Sequence, residues 1–209
     1  MIFRKSFIWL FVGCVILIPF MALGIADWYQ SNFQKLPVLG EPNHRIASFG
    51  MINQHGDSIA NKNWEGKIVI ANFFFTHCPL ICPKITRNLF TVQQSFINDG
   101  HLQINSFSID PDRDSVKRLS WYASKFTISH DHWNLLTGNK KDIYRLARKS
   151  FLAVATDGDG GPDDFIHSDQ LVLIDTKGRI RGFYDGVNKN DVAELIHDIR
   201  KLKTEINAD

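Results

Sequence analysis

Apolar residues fall at positions 85, 89, 92 and 96 of KITRNLFTVQQSFIND (84–99), three or four apart, the period of a helix with one buried face. Just before it, KIVIANFFFT (67–76) runs apolar, β-branched and aromatic without alternation, which predicts a central strand covered on both faces. Pro83 suits the opening of the helix between them. LQINSFSID (102–110) predicts a second strand, and residues 114–126, with Val116, Leu119, Trp121, Tyr122 and Phe126, a second helix. WNLLTG (133–138) and NKKDIYRLARKSF (139–151) repeat the order of short strand and helix. The chain closes with FIHSDQLVLID, the turn TKG, RIRGFYDG and an amphipathic helix over 189–204. Upstream, IASFGMI (46–52), the turn QHGD and SIANKNWEGK read as an added hairpin.

Strands alternating with helices, followed by an antiparallel hairpin and a last helix, describe an α/β thioredoxin-like fold with N-terminal β additions. A different pattern precedes it. Residues 7–26 hold no charge, follow Arg4 and Lys5, and rise about 30 Å as a helix, the thickness of a bilayer core. The expectation is one transmembrane helix with residues 1–6 as a cytoplasmic stub and the remainder across the membrane. Residues 27–43 form a tether, and 44–209 the folded domain. Without an Arg-rich transit segment, the expected location is a bacterial inner membrane, single-pass, with the C-terminal domain in the periplasm.

Of 24 Lys and Arg residues, only Arg4 and Lys5 precede the domain side, leaving 22 against 22 Asp and Glu after residue 26. That balance supplies no global field for nucleic acid. Two of the three cysteines, Cys78 and Cys82, lie beyond the apolar run, too few for a disulfide-stapled scaffold. They sit between the predicted central strand and its helix, where unpaired N–H groups and the helix dipole favour thiolate. Their spacing alone is compatible with a disulfide, a redox couple or two arms of a metal site. His167, at the start of the last hairpin after the acidic loop ATDGDGGPDD, is placed to complete a set of two sulfurs and one nitrogen. His77 is the nearby candidate for the fourth ligand that a structural zinc site would want. The acidic loop lacks the glutamate a calcium loop needs at its twelfth position, which is Ser168, and reads instead as a lid carrying His167.

FFFTHCPLICPKI (73–85), SIDPDRD (108–114) and DDFIHSDQLVLIDTKGRIRGFYDG (163–186) together resemble the Sco/SenC proteins, membrane-tethered copper proteins that assist assembly of cytochrome c oxidase. The resemblance spans about residues 46–200. It implies Cys78, Cys82 and His167 as copper ligands, with Cys78 and Cys82 also able to form a redox disulfide. Two soft thiolates suit Cu(I), and an imidazole also admits Cu(II). The implied partners are the copper-bearing subunit of cytochrome c oxidase and an upstream copper donor. Asp110 and Arg113 are candidate docking residues; the plainer expectation is that Asp110 and Asp114 cap the next helix while Arg113 pairs locally. The rival function is an enzyme, a thiol–disulfide oxidoreductase for exported cysteines. Against it stand the Cys-x-x-x-Cys spacing and the lack of proline over 163–175. A peroxidase of this fold would need proline and threonine where Ala71 and Phe75 stand.

Overall fold

The computed structural model describes residues 13, 15–25, 29, 35–153 and 168–208. The chain divides into two compact units, residues 1–35 and 36–209. In the first, residues 15–25 are helical (α1) and carry exposed apolar side chains from Val15 to Ile25. Part of the expected 7–26 span lies outside the described residues. Among those described, no helix is long and apolar enough to cross a membrane.

The second unit is built on a five-stranded sheet in the order β5-β4-β3-β6-β7. Its centre is β3 (Ile68–Phe74), which pairs parallel with β4 (Leu102–Ser108) and antiparallel with β6 (Gln170–Ile174). Beyond β4 lies β5 (Trp133–Leu136), parallel; beyond β6 lies β7 (Ile180–Asp185), antiparallel. A separate hairpin of β1 (Gly50–Ile52) and β2 (Ser58–Ala60) confirms the N-terminal β addition.

Every residue of β3 is buried, as a sequence apolar at every position but Asn72 requires of a strand with cover on both faces. Ile68, Ile70 and Phe74 join one core with α2 (Ile81–Ser95), α3 (Val116–Lys125) and α5 (Lys189–Ala208). Val69, Ala71 and Phe73 join the other with the hairpin, Trp64 and α4 (Lys140–Arg145). The period-two alternation of side chains thus feeds two cores from one strand. On α2 the helical stripe is buried as its spacing predicts, with Ile85, Leu89 and Val92 at 2% exposure or less.

Three element boundaries differ from the sequence reading. The helix after the cysteines starts at Ile81, two residues before Pro83, so proline stands inside the first turn, where no intrahelical N–H is needed. The helix after SIDPDRD is capped by Ser115, whose hydroxyl accepts from the Arg118 N–H, so neither Asp110 nor Asp114 is its cap. The helix expected over 139–151 is α-helical only to Arg145 and continues as a π turn over Leu146–Ser150. Phe151 N–H then donates to the Leu146 carbonyl at 2.8 Å, widening the backbone just before the segment that leads to His167.

A buried guanidinium staples the start of this unit to its end. Arg181, 5% exposed, donates to the Leu36 and Pro37 carbonyls and pairs with Asp175 at 3.2 Å and Glu205 at 2.6 Å.

Candidate metal centre

The central strand delivers the chain to the edge of the core at Phe74, and residues 75–80 then turn before α2 begins. Cys78 closes that turn, its N–H donating to the Phe75 carbonyl at 3.3 Å. One turn later the Cys82 N–H donates to Cys78 Sγ at 3.3 Å. Both cysteines are reduced and buried, at 8% and 6% exposure.

Their environments drive the two thiols apart. Burial raises Cys78, but the N–H groups of Cys82, Leu80 and Ile81 together outweigh it and hold the thiol below its ordinary range. These are the unpaired donors of a helix start, which stabilise a thiolate much as they would any anion. Cys82 is pushed up to about 12 by burial, with the neighbouring Cys78 sulfur adding to the rise. Of the two, Cys78 is therefore the more readily ionised and Cys82 the one that holds its proton.

A buried carboxylate fixes the strand end that carries them. Asp114, fully buried, accepts from Thr76 N–H at 3.0 Å, Thr76 Oγ1 at 2.5 Å and Ser108 Oγ at 2.6 Å. Arg118 Nε donates to the same Thr76 hydroxyl at 2.9 Å. The motif SIDPDRD therefore ties the first turn of α3 to the residues just before Cys78. His77 Nδ1 lies 3.3 Å from Thr76 Oγ1 and 3.8 Å from Asp114, so its ring is engaged with this clamp. Behind Cys82, Thr86 Oγ1 donates to the Cys82 carbonyl at 2.8 Å and meets Tyr122 OH at 2.9 Å. Burial raises the Tyr122 phenol, whose ring packs tilted against Phe74 with centres 5.4 Å apart.

His167 lies outside the described residues, and so does the acidic loop before it. Its chain neighbour Ser168 is described and lines one cleft with Cys82, Phe75, Ile81 and Ile109. Ser168 Oγ donates to the Ala153 carbonyl at 2.9 Å, joining the two ends of the intervening loop. Nearby, Gly186 N–H donates to the Asp169 carbonyl at 2.8 Å, an approach that a Cβ at 186 would obstruct. Among the described residues no three His, Cys, Asp or Glu side chains form a metal-binding group. Cys78 and Cys82 are thus brought together, and Ser168 lines a cleft with Cys82. Asp110 and Arg113 form a loose pair at 3.8 Å, the local pairing expected of Arg113.

The family model described as SCO1/SenC matches residues 39–204. The chain belongs to the SCO1/SenC family. Its structure is similar to that of a SCO1/SenC family lipoprotein from Bacillus anthracis, at 30% identity and a TM-score of 0.69 over 80% of this chain and 99% of that one. BsSco, a member of the Sco family of cytochrome c oxidase assembly proteins in which a disulfide switch was identified, matches at 30% identity and a TM-score of 0.67, over 79% and 98%. Yeast Sco1 with copper bound matches at 25% identity and a TM-score of 0.58, over 77% and 95%. The thioredoxin-like Sco fold read from the sequence is therefore the fold observed, and Sco relatives hold copper in their crystals.

The sequence reading missed the role of Asp114 and Thr76, which depends on a contact 38 residues long in sequence. It also missed the π turn over Leu146–Ser150.

Proposed function

We propose that this chain is a membrane-anchored copper carrier. It delivers copper to the dinuclear copper centre of cytochrome c oxidase during assembly, with Cys78, Cys82 and His167 as the ligands. The observation that carries the reading is the buried thiol pair at the start of α2, one sulfur already receiving an N–H hydrogen bond and the other one turn away. Two thiolates suit Cu(I), and a third nitrogen ligand leaves a position at which an acceptor can attach before the carrier lets go. The copper-bound state of yeast Sco1 supports the metal. The position of Ser168 in the Cys82 cleft supports His167 as the third arm. A zinc site of structural kind would require a fourth protein ligand, and His77 is occupied with Thr76 and Asp114.

The uncharged run over 7–26, preceded by Arg4 and Lys5, supports a single anchor with residues 44–209 on the periplasmic side. Tethering raises the effective concentration of the carrier at a membrane-bound acceptor. The lipoprotein character of the Bacillus anthracis relative supports an exported, membrane-associated protein. Asp110 and Arg113, on the exposed loop after β4, serve docking of the acceptor in this reading.

A second reading, a thiol–disulfide oxidoreductase, is favoured by the split between a lowered and a raised thiol. The two are separated by one pair of assays on the reduced protein. A carrier binds one equivalent of Cu(I) without turning over insulin disulfides, whereas disulfide turnover with no stoichiometric copper identifies the oxidoreductase. In cells, loss of oxidase copper on deletion of the protein supports delivery, and unchanged oxidase copper contradicts it.

A further inference from the structure

The helices α2 and α3 both begin at the thiol end of the sheet, because β3 and β4 run parallel and each leads into its own helix. They lie side by side: Thr86 Oγ1 on α2 meets Tyr122 OH on α3 at 2.9 Å, and the Gln93 side chain of α2 binds the Thr127 carbonyl and the Ser129 N–H just beyond α3. The domain side is balanced in charge, yet these two helices carry Lys84, Arg87, Lys117, Arg118 and Lys125 and not one acid. All but Arg118 are exposed. Among the described residues no carboxylate pairs with Lys84, Arg87 or Lys117. The acids before α3 do not cancel this charge: Asp114 is buried and taken by Thr76 and Ser108, and Asp110 pairs with Arg113, so Asp112 is the exposed carboxylate of that loop.

Apolar surface is set among these cations. Trp121, 47% exposed on α3, has the Arg118 guanidinium 4.2 Å from its ring centre and Lys125 Nζ at 5.2 Å. Arg118 is itself held, its Nε donating to Thr76 Oγ1 two residues before Cys78. One guanidinium therefore joins the Trp121 ring to the thiol loop. Leu80 stands on that loop between the two cysteines, 78% exposed. Tryptophan and arginine are the side chains that most often dominate binding at protein interfaces, and a ring already fixed by its neighbours loses little freedom on contact.

We propose that the outer face of α2 and α3, with Trp121 and Leu80 as its apolar contacts, docks an acidic protein surface, the one that surrounds the copper-accepting site of the oxidase subunit. The inference rests on the delivery reading above and names the chemistry of the acceptor. A metal handed over from Cys78 and Cys82 requires the acceptor at the thiol loop, and this face borders that loop. A neutral or basic partner gains no steering from five cations, whereas an acidic one associates faster, and the gain falls as salt rises.

The test uses the full chain in phosphatidylcholine nanodiscs and the purified, copper-free copper-bearing subunit of cytochrome c oxidase. Association is followed by biolayer interferometry, and Cu(I) affinity is measured separately. The wild type is expected to associate at a rate that falls as ionic strength rises. Lys84→Glu with Lys117→Glu slows association about tenfold at low salt and flattens that dependence. Trp121→Ala weakens the complex about tenfold, chiefly by faster dissociation. Cu(I) affinity is unchanged in both. A complex that either variant forms as well as the wild type overturns this face and leaves the delivery reading standing; no complex with the wild type overturns both. A Trp121 indole N–H, assigned in NMR by its loss in Trp121→Phe, that shifts with phosphatidylglycerol in the disc and not with the subunit makes the face a membrane contact and overturns the proposal.

Discussion

Replacing Asp114 by alanine tests whether the thiol loop is held from behind. The carboxylate is fully buried and accepts three hydrogen bonds, from Thr76 N–H, Thr76 Oγ1 and Ser108 Oγ. Hydrogen bonds to a charged acceptor contribute about 1.5–3 kcal/mol each, and a buried N–H left without an acceptor costs about 1–3 kcal/mol. The two hydroxyls retain other contacts, since Thr76 Oγ1 accepts from Arg118 and Ser108 Oγ accepts from Asp110 N–H. Relief of the carboxylate's own desolvation offsets part of the loss. The net expectation is a destabilisation of about 3–4 kcal/mol for Asp114→Ala and about 2 kcal/mol for Asp114→Asn, which keeps one acceptor oxygen. Urea unfolding of the reduced, copper-free protein reads both values. A loss below about 1 kcal/mol in the alanine variant would refute the clamp, because a buried N–H cannot lose its acceptor so cheaply.

Other perturbations follow from the same geometry. At Gly186 a Cβ would sit 2.8 Å from the Asp169 carbonyl and close to Ile85, so Gly186→Ala costs about 1–3 kcal/mol in urea unfolding and weakens Cu(II) binding by shifting the segment that carries His167. Arg181→Ala strips Asp175 and Glu205 of a buried partner and loses about 3–5 kcal/mol by the same measurement. Cys82 is held as a thiol with a pKa of about 12, against about 8.5 for an exposed cysteine. The Cys82 contribution to stability of the reduced protein is therefore intact below pH about 8.5 and falls as pH rises toward 12; Cys82→Ala makes that slope shallower in urea midpoints measured against pH. Since copper binds thiolate, its uptake at neutral pH expels the Cys82 proton, and competition titrations with a Cu(I) chelator should show affinity rising at least tenfold per pH unit.

Much of this fold was readable because its signals are local. The predominantly apolar run of β3 and the 85, 89, 92 stripe of α2 declare their burial in single short windows, and both are buried as declared. The cysteines were readable for the same reason, since a strand followed by a helix fixes where the intervening loop must sit. What escaped the sequence depends on partners distant in the chain. Asp114 looks like a helix cap when only its neighbours are considered, yet Ser115 caps the helix and Asp114 turns inward to Thr76. The start of α2 moved two residues ahead of Pro83 because proline is tolerated throughout a first turn and does not mark its first residue.

The central claim is that Cys78, Cys82 and His167 form one copper site. Anaerobic titration of the reduced full chain with Cu(I), in the presence of a competing chelator, tests it most directly. The account predicts one equivalent bound per chain, lost in the Cys78→Ser, Cys82→Ser double variant, with His167→Ala weakening Cu(II) more than Cu(I). Equal copper binding by the double variant would contradict it.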